Sequence, residues 1–451
     1  MNEKYNTRFR DITTKPVIGL LFRMAIPSMI GMLINAIYNM TDTYFIGKLG
    51  NVSFTASIGI VFTFVSLLQA VGFGFGYGSG NYMSRKLGQS QMEKAEEMAS
   101  TGFYLAVMTG CIIMFAGELL CEPMVILLGG NVTDELFQAC LSYLRILLFS
   151  APFSLGATVL YNQMRLTGNA KDGMLGMLTG MLINMILDPA LILYCNLAVA
   201  GAAIATTVGQ IVGFCILFLL TTKNGNIRIR WQRCSFCKEY VQQMLAGGAP
   251  NFCRQGITSV AGTLLNVVAG SYGESMVAAI SISGRVISMC YALVIGFGQG
   301  YQPICGINYG AGLWNRVKKG FWISLGIATG ILMMGMVLLL FSAKQLVRQF
   351  TIDEETITIC CQILRLQSIV FPFMGIYTLA GMFLQNTGRF LAATLVTVAE
   401  KGLFFIPAVV IMPLGWGKEG LLWSQPVASF FACMFSIYML RKNWRKVWNN
   451  F

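Results

Sequence analysis

Apolar runs a little longer than a bilayer is thick, separated by short polar breaks, recur from residue 17 to residue 440. A helix crossing a bilayer takes about 20 residues. The pattern therefore predicts twelve spans, at roughly 17–44, 52–80, 95–117, 136–161, 173–194, 199–222, 241–269, 276–304, 319–341, 360–386, 391–412 and 420–440. No connection is long and polar enough to fold as a soluble domain. The polar start, Met1 to Lys15, leads into an apolar run of more than 25 residues with no small-x-small cleavage site. That predicts an uncleaved anchor helix rather than a signal peptide.

Charge fixes the expected orientation. With the N-terminus inside, the inner segments carry 22 Lys and Arg, among them Lys4, Arg8, Arg85, Lys86, Arg165, Lys171, Arg228, Arg230, Arg233, Lys238, Arg316, Arg389 and Arg441. The outer segments carry four: Lys48, Lys344, Arg348 and Lys418. Such a bias predicts cytoplasmic termini and an even number of spans in a plasma or inner membrane. The net charge of +13 is spread over alternate loops, so nucleic acid is not the expected partner. The lipid bilayer is.

An internal repeat selects twelve. Pro27 matches Pro250, Gly72–Gly76 matches Gly296–Gly300, and Leu87-Gly88 matches Tyr309-Gly310, at offsets of 222 to 224. Leu144-Arg145, Pro152-Phe153 and Thr167-Gly168 match Leu364-Arg365, Pro372-Phe373 and Thr387-Gly388 at an offset of 220. Six spans per repeat make the repeats parallel, related by an axis along the membrane normal. The expected fold is all-α and polytopic: two parallel six-helix lobes, 1–222 and 241–451, around a central cleft, joined by a basic cytoplasmic linker at 223–240. Gly72, Gly76 and Gly80 share one helix face where a neighbouring backbone can come close. The same glycines lack the strand and βαβ context of a dinucleotide fingerprint. Prolines at 27, 152, 189, 250, 303, 372 and 407 are either fixed kinks or hinges.

Composition adds exclusions. Charged residues make up only 11% of the chain and histidine is absent, which removes the commonest general base and metal ligand. Cys234 and Cys237 form a lone CxxC in a basic loop, read as ordinary loop rather than a zinc or redox motif. Nothing points to an enzyme, a catalytic residue or an organic cofactor.

Ionisable groups inside spans are costly and are functional candidates by default. Asp42 follows Tyr38 by four residues on the first span. Asp188 follows Asn184 by four on the fifth, so each pair shares a helix face. Carboxylate, amide and hydroxyl oxygens suit Na⁺, and two carboxylates together suit a proton. Thr206 on the sixth span adds a hydroxyl. The alternatives are that Asp42 caps a helix or meets Lys48, and that Asp188 caps a helix broken by Pro189. Glu400 and Lys401 on the eleventh span are either a satisfied ion pair or substrate contacts.

The stretch from Pro27-Ser28-Met29-Ile30 through Ile34-Asn35-Ala36-Ile37-Tyr38-Asn39-Met40-Thr41-Asp42 to Gly47-Lys48-Leu49-Gly50 resembles the opening of the multidrug and toxic compound extrusion (MATE) family. So do Gly72-Phe73-Gly74 with Ser84-Arg85-Lys86-Leu87-Gly88, Asn184 to Pro189, Gly201 to Thr206, and Phe404 to Pro407. The resemblance covers essentially the whole chain. It implies a monomeric two-lobed exporter, without an obligatory protein partner, that exchanges inward Na⁺ or H⁺ for small organic compounds, often cationic and amphipathic. The seventh and tenth spans lack the acids that some members carry there. The pattern is similar instead to the DinF-like branch, whose ion site lies in the N-terminal lobe. A flippase for lipid-linked precursors is the alternative within the same superfamily, and it predicts a more cationic cleft than Arg254, Arg285 and Lys401 supply.

Overall fold

The computed structural model describes the backbone of residues 3–223 and 225–448, and the side chains among these except at 3–5, 39–43, 52 and 445–448. Among the described residues the chain is almost entirely helical, the main exception being the linker between Thr221 and Lys238. A short helix, Glu3–Thr14, precedes the first span, Val17–Gly47. The second to fourth spans are Val52–Gly88, Met92–Leu119 and Asp134–Leu166. The fifth is Ala170–Pro189, prolonged by a π-helical stretch, Ala190–Tyr194, and the sixth is Ala198–Thr221. The seventh to ninth are Lys238–Gly270, Glu274–Gly310 and Trp314–Val347.

Among the described residues nine helices are long and apolar enough to cross a membrane, and Glu354–Ile369 with Phe371–Asn386, bent by 54°, makes another span. Two observations raise the number to twelve. Gly417, at φ 55° and ψ −134°, turns the chain inside the long stretch that begins at Ile406, which therefore serves the eleventh and twelfth spans. Lys238–Gly270 is more polar, but its 33 residues are ample at about 1.5 Å per residue. The protein is a multi-pass membrane protein with the all-α, polytopic fold expected.

Local chemistry explains where the helices begin and end. Asn51 caps the second span by accepting from the backbone N–H groups of Ser53 and Phe54, at 2.9 and 3.3 Å. Thr133 and Asp353 cap the fourth and tenth spans in the same way. Thr167-Gly168 and Thr387-Gly388 end the fourth and tenth spans, with Gly168 at φ 86° and Gly388 at φ 77°. Both glycines stand in the left-handed region that other residues avoid. The tenth span breaks where Pro372 opens its second half, whereas Pro27, Pro152, Pro250 and Pro303 lie inside continuous helices.

Two compact units result: 1–15, 30–248 and 310–312 form one, and 16–29, 249–309 and 313–451 form the other. In the first unit, a Cβ on Gly72 or Gly76 would stand 3.1 or 3.0 Å from side-chain atoms of Thr158 or Asn162, and one on Gly80 would stand 2.5 Å from Leu166. The predicted glycine face therefore seats the fourth span. The linker is bound along this unit. Lys223 and Asn226 reach Asp172 at 3.0 and 3.1 Å, the Arg230 N–H donates to Ser100 Oγ, and the Ser235 N–H donates to Thr101 Oγ1. The Arg8 guanidinium donates to the Gly225 carbonyl at 3.1 Å.

Two expectations need correction. The second and eighth spans are both 37 residues long and are offset by 222 from end to end. Gly74 and Gly78, not Gly72 and Gly76, are thus the counterparts of Gly296 and Gly300. Glycine at every second position hides a slip of two. The geometry agrees: Gly74 and Gly78 meet Gly248 and Met244 of the seventh span, while Gly296 and Gly300 meet Met29 and Ala25 of the first. Arg165, counted with the inner loop charges, is fully buried. Its guanidinium donates to Asn162 Oδ1 at 3.0 Å and lies 4.9 Å over the Tyr77 ring.

Candidate functional site

The fifth and sixth spans approach closely because both carry glycine at their crossing. A Cβ on Gly180 would stand 2.6 Å from the Gly209 carbonyl oxygen, and one on Gly209 would stand 3.1 Å from Asn184 Cβ. One turn beyond that contact the Asn184 amide nitrogen donates to Thr206 Oγ1 at 3.0 Å. Asn184, Asp188 and Thr206 are 1%, 0% and 8% exposed. Donating its N–H₂ to threonine leaves the Asn184 carbonyl oxygen buried without a hydrogen-bond partner among the described residues. An orphaned acceptor of this kind costs about 1–3 kcal/mol unless something binds it.

Asp188 lies on the same face one turn on. Beyond it the backbone leaves α geometry at Pro189 and runs through the π-helical stretch Ala190–Tyr194. Proline withholds a backbone N–H, and π-turns are enriched at functional sites. Tyr38 is buried on the first span, in the same unit. Asp42 lies outside the described side chains. Of the five residues singled out for the coupling ion, Asn184 and Thr206 are thus joined directly and Asp188 continues their face. These groups are oxygen donors, and an orphaned oxygen fits either a hard monovalent cation or a shared proton.

In the second unit Glu400 and Lys401 stand in another π-helical stretch, Ala399–Phe405. They form an ion pair at 3.7 Å, bridged by a residue that sequence reading missed. Gln425 of the twelfth span donates to the Glu400 carboxylate and accepts from Lys401 Nζ at 2.8 Å. Its amide also reaches Ser429 Oγ at 3.3 Å. Lys401 further lies 4.9 Å over the Phe405 ring. Gln425 is 25 residues from Glu400 across the Gly417 turn, so no helical period links them. The sole sequence signal was an amide within an apolar span.

Among the described residues no group of three or more Cys, Asp or Glu is placed to hold a metal ion. Comparison with known proteins then gives the chain its relatives. The sequence profile of the MatE family matches residues 27–190 and 250–411, one stretch in each half. The multidrug export protein MepA of Staphylococcus aureus is 27% identical over 432 residues, 94% of each chain. MepA of Staphylococcus haemolyticus is 28% identical over 429 residues, again 94% of each. Among solved structures, a MOP superfamily transporter from Pyrococcus furiosus superposes with a TM-score of 0.90 at 21% identity, over 98% of both chains. A variant of the Vibrio cholerae MATE transporter VcmN gives 0.89 at 21% identity, over 98% of both. A profile matched in both halves, on a chain with the fold of solved MATE transporters, leads to one assignment: this protein belongs to the MatE family.

Proposed function

We propose that the chain is a secondary active antiporter of the DinF-like branch. It exports small organic compounds, cationic amphipathic ones among them, by alternating access, and is driven by inward Na⁺ or H⁺. It is not an enzyme. The observation that carries the reading is the buried Asn184–Asp188 face with its orphaned Asn184 oxygen, in a chain of this family. Tyr38, Asp42, Asn184, Asp188 and Thr206 form the coupling site. Glu400 and Lys401 meet the substrate. Residues 1–222 and 241–451 act as lobes joined by 223–240, in a monomer of the plasma or inner membrane with both termini in the cytoplasm.

An exporter needs its driving ion to bind one arrangement of the protein better than the other. Buried carboxylates provide that difference, because dehydrating them changes their proton or Na⁺ affinity sharply. The test is dye efflux from proteoliposomes under an imposed Na⁺ gradient and, separately, under an imposed pH gradient. One of the two should drive export, and folded Asp42→Asn and Asp188→Asn proteins should lose nearly all of it. Full ion-driven export by both variants would move the coupling site to Glu400.

A further inference from the structure

The linker between the sixth and seventh spans presents charges and rings that nothing within the first unit uses. After Asn226 it leaves helical structure, with Arg230 extended at φ −138° and ψ 130°. Its side chains alternate there. Ile227 is buried and Ile229 half-buried against the core of the unit, while Arg228 and Arg230 are exposed. Two other linker cations are spent locally: Lys223 pairs with Asp172 at 3.0 Å, and Arg233 with Glu93 and Glu96 at 3.7 and 3.9 Å. Arg228 and Arg230 make no ion pair among the described residues. Two aromatic rings follow, Trp231 and Phe236, 60% and 47% exposed with their centres 6.5 Å apart.

The depth of these groups follows from the third span. Between Glu97 and Glu118 it has 20 residues without a charge, about 30 Å of helix and one hydrocarbon layer. The linker is fastened to the first turns of that run. The Arg230 N–H donates to Ser100 Oγ at 3.1 Å, and the Ser235 N–H donates to Thr101 Oγ1 at 3.0 Å. The Trp231 ring meets Tyr104 edge-on at 4.7 Å. The sixth span marks the same level, because Phe218, in its last turn before Thr221, packs on Phe103 at 5.6 Å. Trp231 and Phe236 thus stand at the boundary of the hydrocarbon, where amphipathic rings gather in membrane proteins. Arg228 and Arg230 stand within reach of the phosphate layer.

We propose that this face of the linker binds anionic phospholipid, with a headgroup phosphate between Arg228 and Arg230 and the Trp231 and Phe236 rings set among the headgroups. Successive outward positions of an extended chain are about 7 Å apart, so two guanidinium forks converge on one phosphate. A zwitterionic headgroup brings an ammonium group into the same field and is disfavoured. A soluble acidic partner suits the patch less well, since it would have to displace headgroups to reach the rings. The site lies wholly in the first unit and apart from the ion and substrate residues, so it stands or falls independently of the export reading.

Brominated lipids test it, because bromine quenches tryptophan at close range. The full-length protein is reconstituted in phosphatidylcholine with increasing brominated phosphatidylglycerol or, separately, brominated phosphatidylcholine. The quenching curves should show a preference for phosphatidylglycerol of about fivefold or more, the contribution of one arginine at a charged membrane surface. Arg228→Gln with Arg230→Gln should abolish the preference, and the corresponding double lysine variant should keep most of it. Trp231→Phe should remove the part of the quenching that distinguishes the two lipids. Equal quenching of the unmodified protein by both lipids overturns the proposal, as does a distinction that survives Trp231→Phe. A preference retained by the double glutamine variant also overturns it and leaves the arginines to a soluble acidic partner. A preference abolished by millimolar inorganic phosphate overturns it too, in favour of a site for the free ion.

Discussion

Thr206 shows how much one hydroxyl decides. It accepts the Asn184 N–H₂ at 3.0 Å and so fixes the amide with its oxygen buried and without a hydrogen-bond partner among the described residues. Thr206→Val keeps the volume and removes the acceptor, leaving a buried donor that costs about 1–3 kcal/mol. The amide is then free to rotate. The expected result is roughly tenfold weaker dependence of efflux on the driving ion, with Thr206→Ser close to the unmodified protein. The ion concentration giving half-maximal efflux from proteoliposomes measures it. This part of the site was legible in the sequence because polar residues four apart in an apolar run share a helix face. Arg165 was misread for a related reason. Counting loop charges assumes that a basic residue at a span end reaches water, but the fourth span continues to Leu166 and the guanidinium turns inward over Tyr77. Tyr77 lies 88 residues earlier, and nothing local announces it.

At the scale of elements, the spans follow from hydropathy and their ends from caps, while their contacts do not. The fifth and sixth spans are held together by absence of side chains. Gly180→Ala would put a Cβ 2.6 Å from the Gly209 backbone oxygen, and backbone cannot rotate away. The helices must separate, at a cost of about 1–3 kcal/mol, and Asn184 moves from Thr206 as they do. Gly256→Ala offers the comparison, since nothing lies within 4 Å of its added methyl. Thermal unfolding in detergent should show a lower Tm for the first variant and an unchanged or slightly higher one for the second, because alanine favours helix over glycine. Neither π-helical stretch was foreseen. Apolar periodicity over five to seven residues does not distinguish 3.6 from 4.4 residues per turn.

The whole molecule is where sequence spoke most clearly through statistics and least clearly through geometry. The 22-to-4 distribution of Lys and Arg sets the expected orientation. Native cysteines allow it to be read directly. Cys195 is exposed between the fifth and sixth spans, and Cys237 is exposed at the end of the linker. In proteins retaining one cysteine each, a membrane-impermeant maleimide should label Cys195 in intact cells and Cys237 only after permeabilisation. Cys234 should react more slowly than Cys237 on the same side, because burial pushes its thiol pKa up and lowers its thiolate fraction. Labelling of Cys237 from outside would reverse the topology. The family fold was legible at this scale because two halves repeat; the register of the repeat was not, since alternating glycines look alike when shifted by two.

The division of the chain at residues 29/30 and 248/249 has a mechanical meaning. These boundaries fall inside the first and seventh spans, each within two residues of a proline, Pro27 or Pro250. Bodies joined by loops swing freely; bodies joined through the interior of a helix are connected by a stiff shaft. A bend in either helix concentrates at its proline, which has one hydrogen bond fewer to break. Stiffening either proline position would slow the cycle without touching a single residue that binds ion or substrate.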